Sequence, residues 1–566
     1  MDDSALRSVR PRPTEIATVL VAGLLLVSAS PQVYAEYWTP RAAIALLIIG
    51  PGLVALMVAA WARDRAAIAG LAFVVIAGVA TIVSPAPGLA LLGLYNHGTG
   101  WLFIAAVVGM WALGRRWSDA PARLLGSVIL GAAFVNAVMV WLQVSRNFHG
   151  DLFRLVDGRP PALFGNPVHA SALFLGAFAI VAERWRANPS SRETATIYLG
   201  MAALLASALE LAGGRIGLAV LFVVLIGLAV RSRVRVIPLV VAVTLGVLGA
   251  VLIAPDDEGA ASRVAASGES AFSGRIERWK LGGSAFEARP ILGAGPGLYR
   301  RATTPHNTAA AARAFGADRL NIDAHNVFVE YLVTTGALGL LALVWWLVAA
   351  GRGARGELAW FAGVGAISLL LEPQFVGLTP VLALALGAAK RGPPLRIPAV
   401  VQVLAVAVMA AGLGLGVALV RGDVLTLRTA VDHHPAEGRA AVRALPIWPE
   451  PAEKAAQAYT YVATSRRSRR AGRNAVAAQR TAHRRDPSDT GVSLALGNLE
   501  LTYGSRSAAR AAFVDAVTWD PFSAQALVAL SAFAKADGHR RESARLCARA
   551  RSVAPELHCR FRLPNP

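Results

Sequence analysis

Apolar runs of about 20 residues recur through the first 420 positions of this chain, and nothing else in it constrains the fold as strongly. A helix needs roughly 20 apolar residues to cross a hydrocarbon core, where only helices and closed barrels satisfy their own backbone. About 13 runs meet that description: 14–30, 40–61, 66–84, 98–114, 121–144, 167–183, 195–213, 214–231, 236–254, 325–350, 357–375, 377–390 and 397–420. The run at 377–390 is the shortest. Composition agrees: 55% of residues are hydrophobic and 16% charged, against roughly 45–50% and about 25% in soluble domains. The expected fold is all-α, a polytopic membrane helix bundle of about 12–13 spans.

The net charge of +21 raises the question of a nucleic-acid partner. The arginines argue against one, because they cluster in short loops between apolar runs, where they fix topology. One alternating set holds Arg7, Arg10 and Arg12, then Arg63 and Arg65, Arg115 and Arg116, Arg184 and Arg186, Arg231 and Arg233, Arg352 and Arg355, and Lys390 and Arg391. The other set holds little beyond Arg41, Arg146, Arg154, Arg159 and Arg215. The positive-inside rule puts the first set and the N-terminus in the cytoplasm. An odd number of spans then exports the C-terminal segment. No cleavable signal peptide is expected at the start. The chain divides into a membrane domain, 1–421, with a long outer loop at 255–323, and an exported segment, 422–566.

That segment repeats on itself. Asp486-Pro487 recurs as Asp520-Pro521 and is followed by Ala554-Pro555, while Gly504 recurs as Gly538; the period is 34. Ala509, Ala512 and Ala516 provide small residues where paired helices would touch. The pattern resembles tetratricopeptide repeats and predicts a helical solenoid. Such solenoids bind proteins on a concave face; a packed cap without a partner is the other reading. Cys547 and Cys559, the only cysteines, suit either a disulfide outside the cytoplasm or two buried thiols. They have no companions for a metal site.

Four segments on the expected outer face carry polar chemistry. "DAHNVFVEYLVTTGALGL" places His325 and Asn326 at the mouth of a span, where an interfacial histidine is also tolerated without function. "SGRIERWKLGGSAFEARPILGAGPGLY" sets Arg275, Arg278 and Lys280 within two helical turns, with Trp279 on the face of Arg275, ahead of a glycine-rich turn. An amphipathic helix lying on headgroups is the plainer reading. "LAGGRIGLAV" puts Arg215 between two apolar runs. A charge at that depth faces a cavity or partner, or snorkels to the interface. "GRPPALFGNPVHASALF" places Asn166 at a helix cap, Pro167 in its first turn and His169 behind them; for Asn166 capping alone is the better reading. Arginine's planar fork suits phosphate, and histidine accepts a proton near neutral pH. Arginines and a histidine beside a bilayer suit a lipid-linked phosphate. Glu210 and Glu372 lie near the outer ends of spans, which favours a surface-facing site over a transport path.

In their order and spacing, the stretches "LFGNPVHASALF", "GGRIGLAV", "SGRIERWK…RPILGAGPGLY" and "DAHNVFVEYLVTTGALGL" resemble the O-antigen ligase and polymerase superfamily over about residues 160–345. The resemblance implies a GT-C-like, metal-independent enzyme without a cofactor. Such an enzyme moves a glycan from undecaprenyl pyrophosphate to a lipid or glycan acceptor hydroxyl at the outer face of the bacterial inner membrane. Arg215 and Arg275 would hold the pyrophosphate and His325 would act on the acceptor. Arg278, Trp279, Lys280, Asn326, Asn166 and His169 would line the substrate. Val168 stands where the family often has a second Asn, and Thr334 or Thr335 where an acidic residue commonly precedes the glycine. The repeat tail is a further departure, a candidate for recruiting a protein partner while carrying no chemistry. The alternatives are a polymerase or protein O-oligosaccharyltransferase of the same superfamily, and a non-catalytic scaffold or exporter.

Overall fold

The computed structural model describes residues 11–566 except 146–149, 151, 153, 157, 188–190, 214, 232–235, 254–269, 320, 371–373, 391, 393–397, 560, 562 and 564–566. It describes no side chain at 215, 216, 228–231, 253 and 270–273. The expected loop therefore lies partly outside the described residues, as does Glu372.

Every expected span contains a helix. In order these are α1 (Pro13–Val27), α2 (Thr39–Trp61), α3 (Arg65–Ile82), the short α4 (Pro87–Leu92), α5 (Trp101–Gly114), α6 (Asp119–Ser145), α7 (Pro167–Arg186), α8 (Arg192–Leu211), α9 (Arg215–Arg231) and α10 (Ile237–Ile253). After the loop come α11 (Ser270–Ala288), α12 (Tyr299–Thr303), α13 (Ala309–Phe315), α14 (Val327–Gly351), α15 (Glu357–Ser368), α16 (Thr379–Ala388) and α17 (Ala399–Asp432). Seven of the described helices are long and apolar enough to cross a membrane: α2, α3, α6, α7, α8, α14 and α17. The other apolar helices of the bundle are shorter, so a count of 12–13 full spans exceeds what helix length supports.

Glycines let the axes close. α2 packs on α5 at Gly52 and Gly109, where an added Cβ would meet backbone within 2.7–3.2 Å. At one end Asp64 caps α3 and accepts a hydrogen bond from Arg115 at 2.7 Å. At the other end buried Arg41 donates to the carbonyls of Leu25, Tyr37 and Leu163 at 2.6–2.8 Å, so its guanidinium is hydrogen-bonded where it is buried.

The span expected at 325–350 is not one continuous helix. α14 breaks at Gly336, whose φ of 69° belongs to the left-handed region. The turn at 290–297 docks into the break. Ala294 and Gly295 donate their N–H groups to the carbonyls of Val333 (3.1 Å) and Thr334 (2.8 Å), and Ala337 donates to Pro290 at 2.8 Å. A Cβ on Gly336 would lie 2.2 Å from the Ile291 carbonyl oxygen, so the close approach itself requires glycine.

α17 continues unbroken past position 421, so the expected domain boundary falls inside a helix. Its Asp423 accepts from the Ala35 N–H at 2.9 Å and the Thr39 hydroxyl at 2.7 Å. Beyond it α18 (Pro435–Ala444) leads to three helical hairpins: α19 (Glu450–Ser465) with α20 (Arg469–Arg485), α21 (Thr490–Tyr503) with α22 (Arg506–Trp519), and α23 (Ala524–Ala536) with α24 (Arg540–Arg551). Ala509, Ala512 and Ala516 are buried. Cys547 and Cys559 are disulfide-bonded, which decides between the two readings of that pair.

Candidate active site

Residues 323–326 sit at the mouth of α14, pinned from several directions. Asn326 caps the helix, its side-chain oxygen accepting from the N–H groups of Phe328 (2.9 Å) and Val329 (3.1 Å). Ala324 donates its N–H to the Glu330 carboxylate at 3.0 Å and accepts the Trp279 indole N–H at 3.1 Å. His325 has a φ of 48°, a conformation that costs a β-carbon residue free energy and persists where the surroundings impose it. Asp323 imposes it: one carboxylate oxygen accepts the His325 N–H at 2.8 Å and also meets ring Nδ1. The contact fixes the ring and leaves Nε2 on its opposite side.

Two cavities meet at this pair. The smaller is lined by His97, Thr99, Gly297, Asn326, Glu330 and Tyr331 along with Asp323 and His325. The larger, about 420 Å³, is lined by aromatic residues including Tyr37, Trp38, Phe164 and Phe375, with Asn166, His169 and Gln374. His97, Asp323, His325 and Gln374 belong to both. The electrostatics of the shared wall are uneven. Burial by itself pushes the Asp323 carboxyl up, but its bonds to His325 and the charges of His325 and His97 outweigh that and hold it at about 2. Burial lowers the basicity of His97, Asp323 raises it, and the charges of Arg300 and His325 lower it further.

The remaining expected residues are spread around this centre. Asn166 caps α7, accepting the Val168 N–H at 2.9 Å, and also lines the larger cavity. His169 lines it too, stacked on Phe375 with ring centres 4.6 Å apart. Trp279 touches the site through Ala324. Arg275 lies one turn earlier on the same helix face, partly buried. Arg278 sits over the Phe315 ring at 5.1 Å, and its carbonyl accepts the Tyr299 hydroxyl at 2.6 Å. Lys280 is exposed and pairs with Glu277 at 2.6 Å. Arg275, Arg278, Trp279 and Lys280 lie on α11, which meets the site through Trp279, and none of them lines either cavity. Arg215 begins α9, just after Gly213 with φ 67°; its side chain lies outside the described residues.

The sequence reading passed over His97, Asp323 and Gln374. For His97 a signal existed in "LYNHGTG", a polar, glycine-bearing break between α4 and α5. Irregular backbone between membrane helices is tolerated where it lines a cavity or is buried in protein.

These features define a multi-pass helical membrane protein with a His–Asp pair at the mouth of an interrupted apolar helix. Residues 195–344 match the family model described as O-antigen ligase. The matched segment contains Arg215, Arg275 and His325 and supports placing it with the O-antigen ligase superfamily. His97, Asn166, His169 and the C-terminal hairpins lie outside the match. No curated protein matches the chain.

Proposed function

We propose that the protein is an O-antigen ligase-like membrane glycosyltransferase, transferring a glycan from undecaprenyl pyrophosphate to an acceptor hydroxyl at the outer face of the bacterial inner membrane. The observation that carries this reading is the Asp323–His325 pair beside a cavity, inside the segment that matches the family. With Nδ1 engaged by Asp323, Nε2 is free to take the acceptor's proton. The acceptor oxygen forms the new bond to the anomeric carbon, the bond from that carbon to the pyrophosphate breaks, and undecaprenyl pyrophosphate leaves with the electron pair. Arg215 and Arg275 grip the pyrophosphate, as the resemblance implies, with Arg278, Trp279 and Lys280 on the same loop helix. Asn166, His169 and Asn326 border the acceptor space. The chemistry needs no metal.

An extracytoplasmic loop and C-terminal segment suit this reaction. The alternating arginines support that orientation, and the Cys547–Cys559 disulfide suits an oxidising compartment. We assign the hairpins to a tetratricopeptide-like array on their 34-residue recurrence. A polymerase or a protein O-oligosaccharyltransferase would use the same site with a different acceptor. The deciding experiment supplies purified protein with a lipid-pyrophosphate glycan and separate lipid, glycan and protein acceptors, and measures released undecaprenyl pyrophosphate. Release with one acceptor class identifies the subclass. No release with any of them would leave the scaffold or exporter reading standing.

A further inference from the structure

The C-terminal hairpins have a ligand within the chain. Their turns grip the segment 299–318 at successive repeats. At the first turn Asp486, fully buried, meets buried Arg300, which also donates to Asp489 at 2.9 Å; Arg301 lies 3.4 Å from the other oxygen of Asp486. At the second, Asp520 accepts from the Asn307 amide at 2.9 Å. Three residues on, the Ser523 hydroxyl donates to Asp318 at 2.7 Å. At the third, the Ser552 carbonyl, just before Ala554, accepts from Arg313 at 2.9 Å. Asp486 and Asp520 are the two copies of the Asp-Pro position in the repeat. The recurrence first read as a surface for another protein is therefore occupied, along this edge, by the chain's own loop.

The gripped segment runs directly into the site. Tyr299, next to Arg300, is buried against Ala324 and Val333. Gly297 lines the smaller cavity and lies close enough to Thr99 that a Cβ would come within 3.0 Å of it. The C-terminal part also holds the opposite wall. The Trp448 indole donates to the Gly93 carbonyl at 2.9 Å and packs against Trp38 and Tyr95 with ring centres 5.7 Å apart, beside Asn96 and His97.

We propose that the C-terminal hairpins are an intramolecular clamp that sets the geometry of the site, with Arg300, anchored by Asp486 and Asp489, as a positioning residue for the wall formed by Gly297 and Tyr299. Arg300 is not itself one of the residues that line either cavity, although its charge reaches His97 in their shared wall. It acts through Tyr299, whose hydroxyl bonds the loop helix and whose ring backs Ala324. Removing one partner of a buried, multiply bonded ion pair leaves a buried charge uncompensated, which is costly, so the clamp holds firmly or releases.

The test uses full-length protein in lipid nanodiscs, with hydrogen exchange followed by mass spectrometry as one arm. In Asp486→Asn, amides of 297–308 and 323–326 should exchange faster by about 10²-fold or more, as expected when a buried ion pair loses one partner, while α19 to α24 keep their protection. Unchanged exchange at 297–308 and 323–326 overturns the clamp, as does loosening confined to the hairpins. Should Asp486→Asn not assemble, Asn307→Ala removes one bond of the second grip, that to Asp520, and must loosen 304–310 alone. The second arm rests on the proposed transfer reaction. Turnover in Asp486→Asn should fall by about 10²-fold, the cost of misplacing reacting groups slightly, with the donor KM nearly unchanged. Asp486→Glu, which keeps the charge that faces Arg300 and Arg301, should retain more turnover than Asp486→Asn; equal losses in the two variants, or a loss carried by KM, overturn the positioning role. If the wild-type protein itself turns over no donor, the proposed function fails and the exchange arm still decides the clamp.

Discussion

At the scale of single residues, the histidine was legible and its partner was not. "HN" before an apolar run marks a helix cap and an ionisable group in two letters. That Asp323 reaches His325 Nδ1 depends on a left-handed φ at His325, which no side-chain pattern announces. His97 is less legible still, because it arrives from a different part of the chain. Two expectations follow. His325→Ala should reduce glycan transfer by roughly 10²–10⁴-fold, the usual worth of a positioned base, with donor binding retained in a filter or calorimetric assay. Asp323→Asn keeps the size of the side chain but loses the charge that fixes the ring, and should cost on the order of 10²-fold, the low end of that range. A variant as active as wild type would remove the pair from the mechanism. For stability, the signs separate two groups. Asp323, held at about 2, contributes stability that is complete above pH about 4 and lost as pH falls through about 2. His97 binds its proton less readily when folded. Its contribution is present above pH about 6.5 and declines as pH falls below that value. Unfolding of solubilised protein between pH 7 and about 5 should therefore steepen in wild type and flatten in His97→Gln.

At the scale of elements, hydropathy found the helices because burial in hydrocarbon is an averaged property of 20 residues. It was blind to the break in α14, since "VTTGALGL" is apolar whether or not the backbone turns. The "GAGPG" turn was visible as a turn, yet its docking partner was not. Hydrogen bonds from Ala294 and Gly295 to α14 carbonyls are tertiary facts. Gly336→Ala tests the junction. Its φ of 69° is unfavourable for alanine, and the Cβ would collide with the Ile291 carbonyl. The variant should lose about 1–3 kcal/mol of stability, read as a lowered Tm in detergent. Gly351→Ala, at the end of the same helix with open space around its Cβ position, should change little. Equal effects at both positions would mean that the turn does not support the helix break.

At the scale of the whole molecule, the arginine distribution carries more than any contact does, because topology is set by loop charges during insertion and leaves no mark in packing. The 34-residue period was legible for the same kind of reason, as a repeated local pattern. What the repeats hold was not, since Arg300 and Asp486 meet only after the chain has folded. Topology can be measured without any assay of activity. In a variant with Cys547→Ser and Cys559→Ser, single cysteines at Ser465, exposed at the end of α19, and at Ser191, exposed at the start of α8, should lie on opposite sides of the membrane. Ser465→Cys should react with a membrane-impermeant maleimide in intact spheroplasts, and Ser191→Cys only after lysis. The two positions flank opposite arginine environments: 191 belongs to the basic set with Arg184 and Arg186, and 465 follows the last span. Labelling in the reverse order would put His325 on the cytoplasmic side, away from any outward-facing acceptor, and the proposed transfer would have to be abandoned with it. Labelling of both before lysis would instead mean that an odd number of membrane crossings does not separate them, and that one of the shorter helices, such as α15 or α16, enters the bilayer without crossing it.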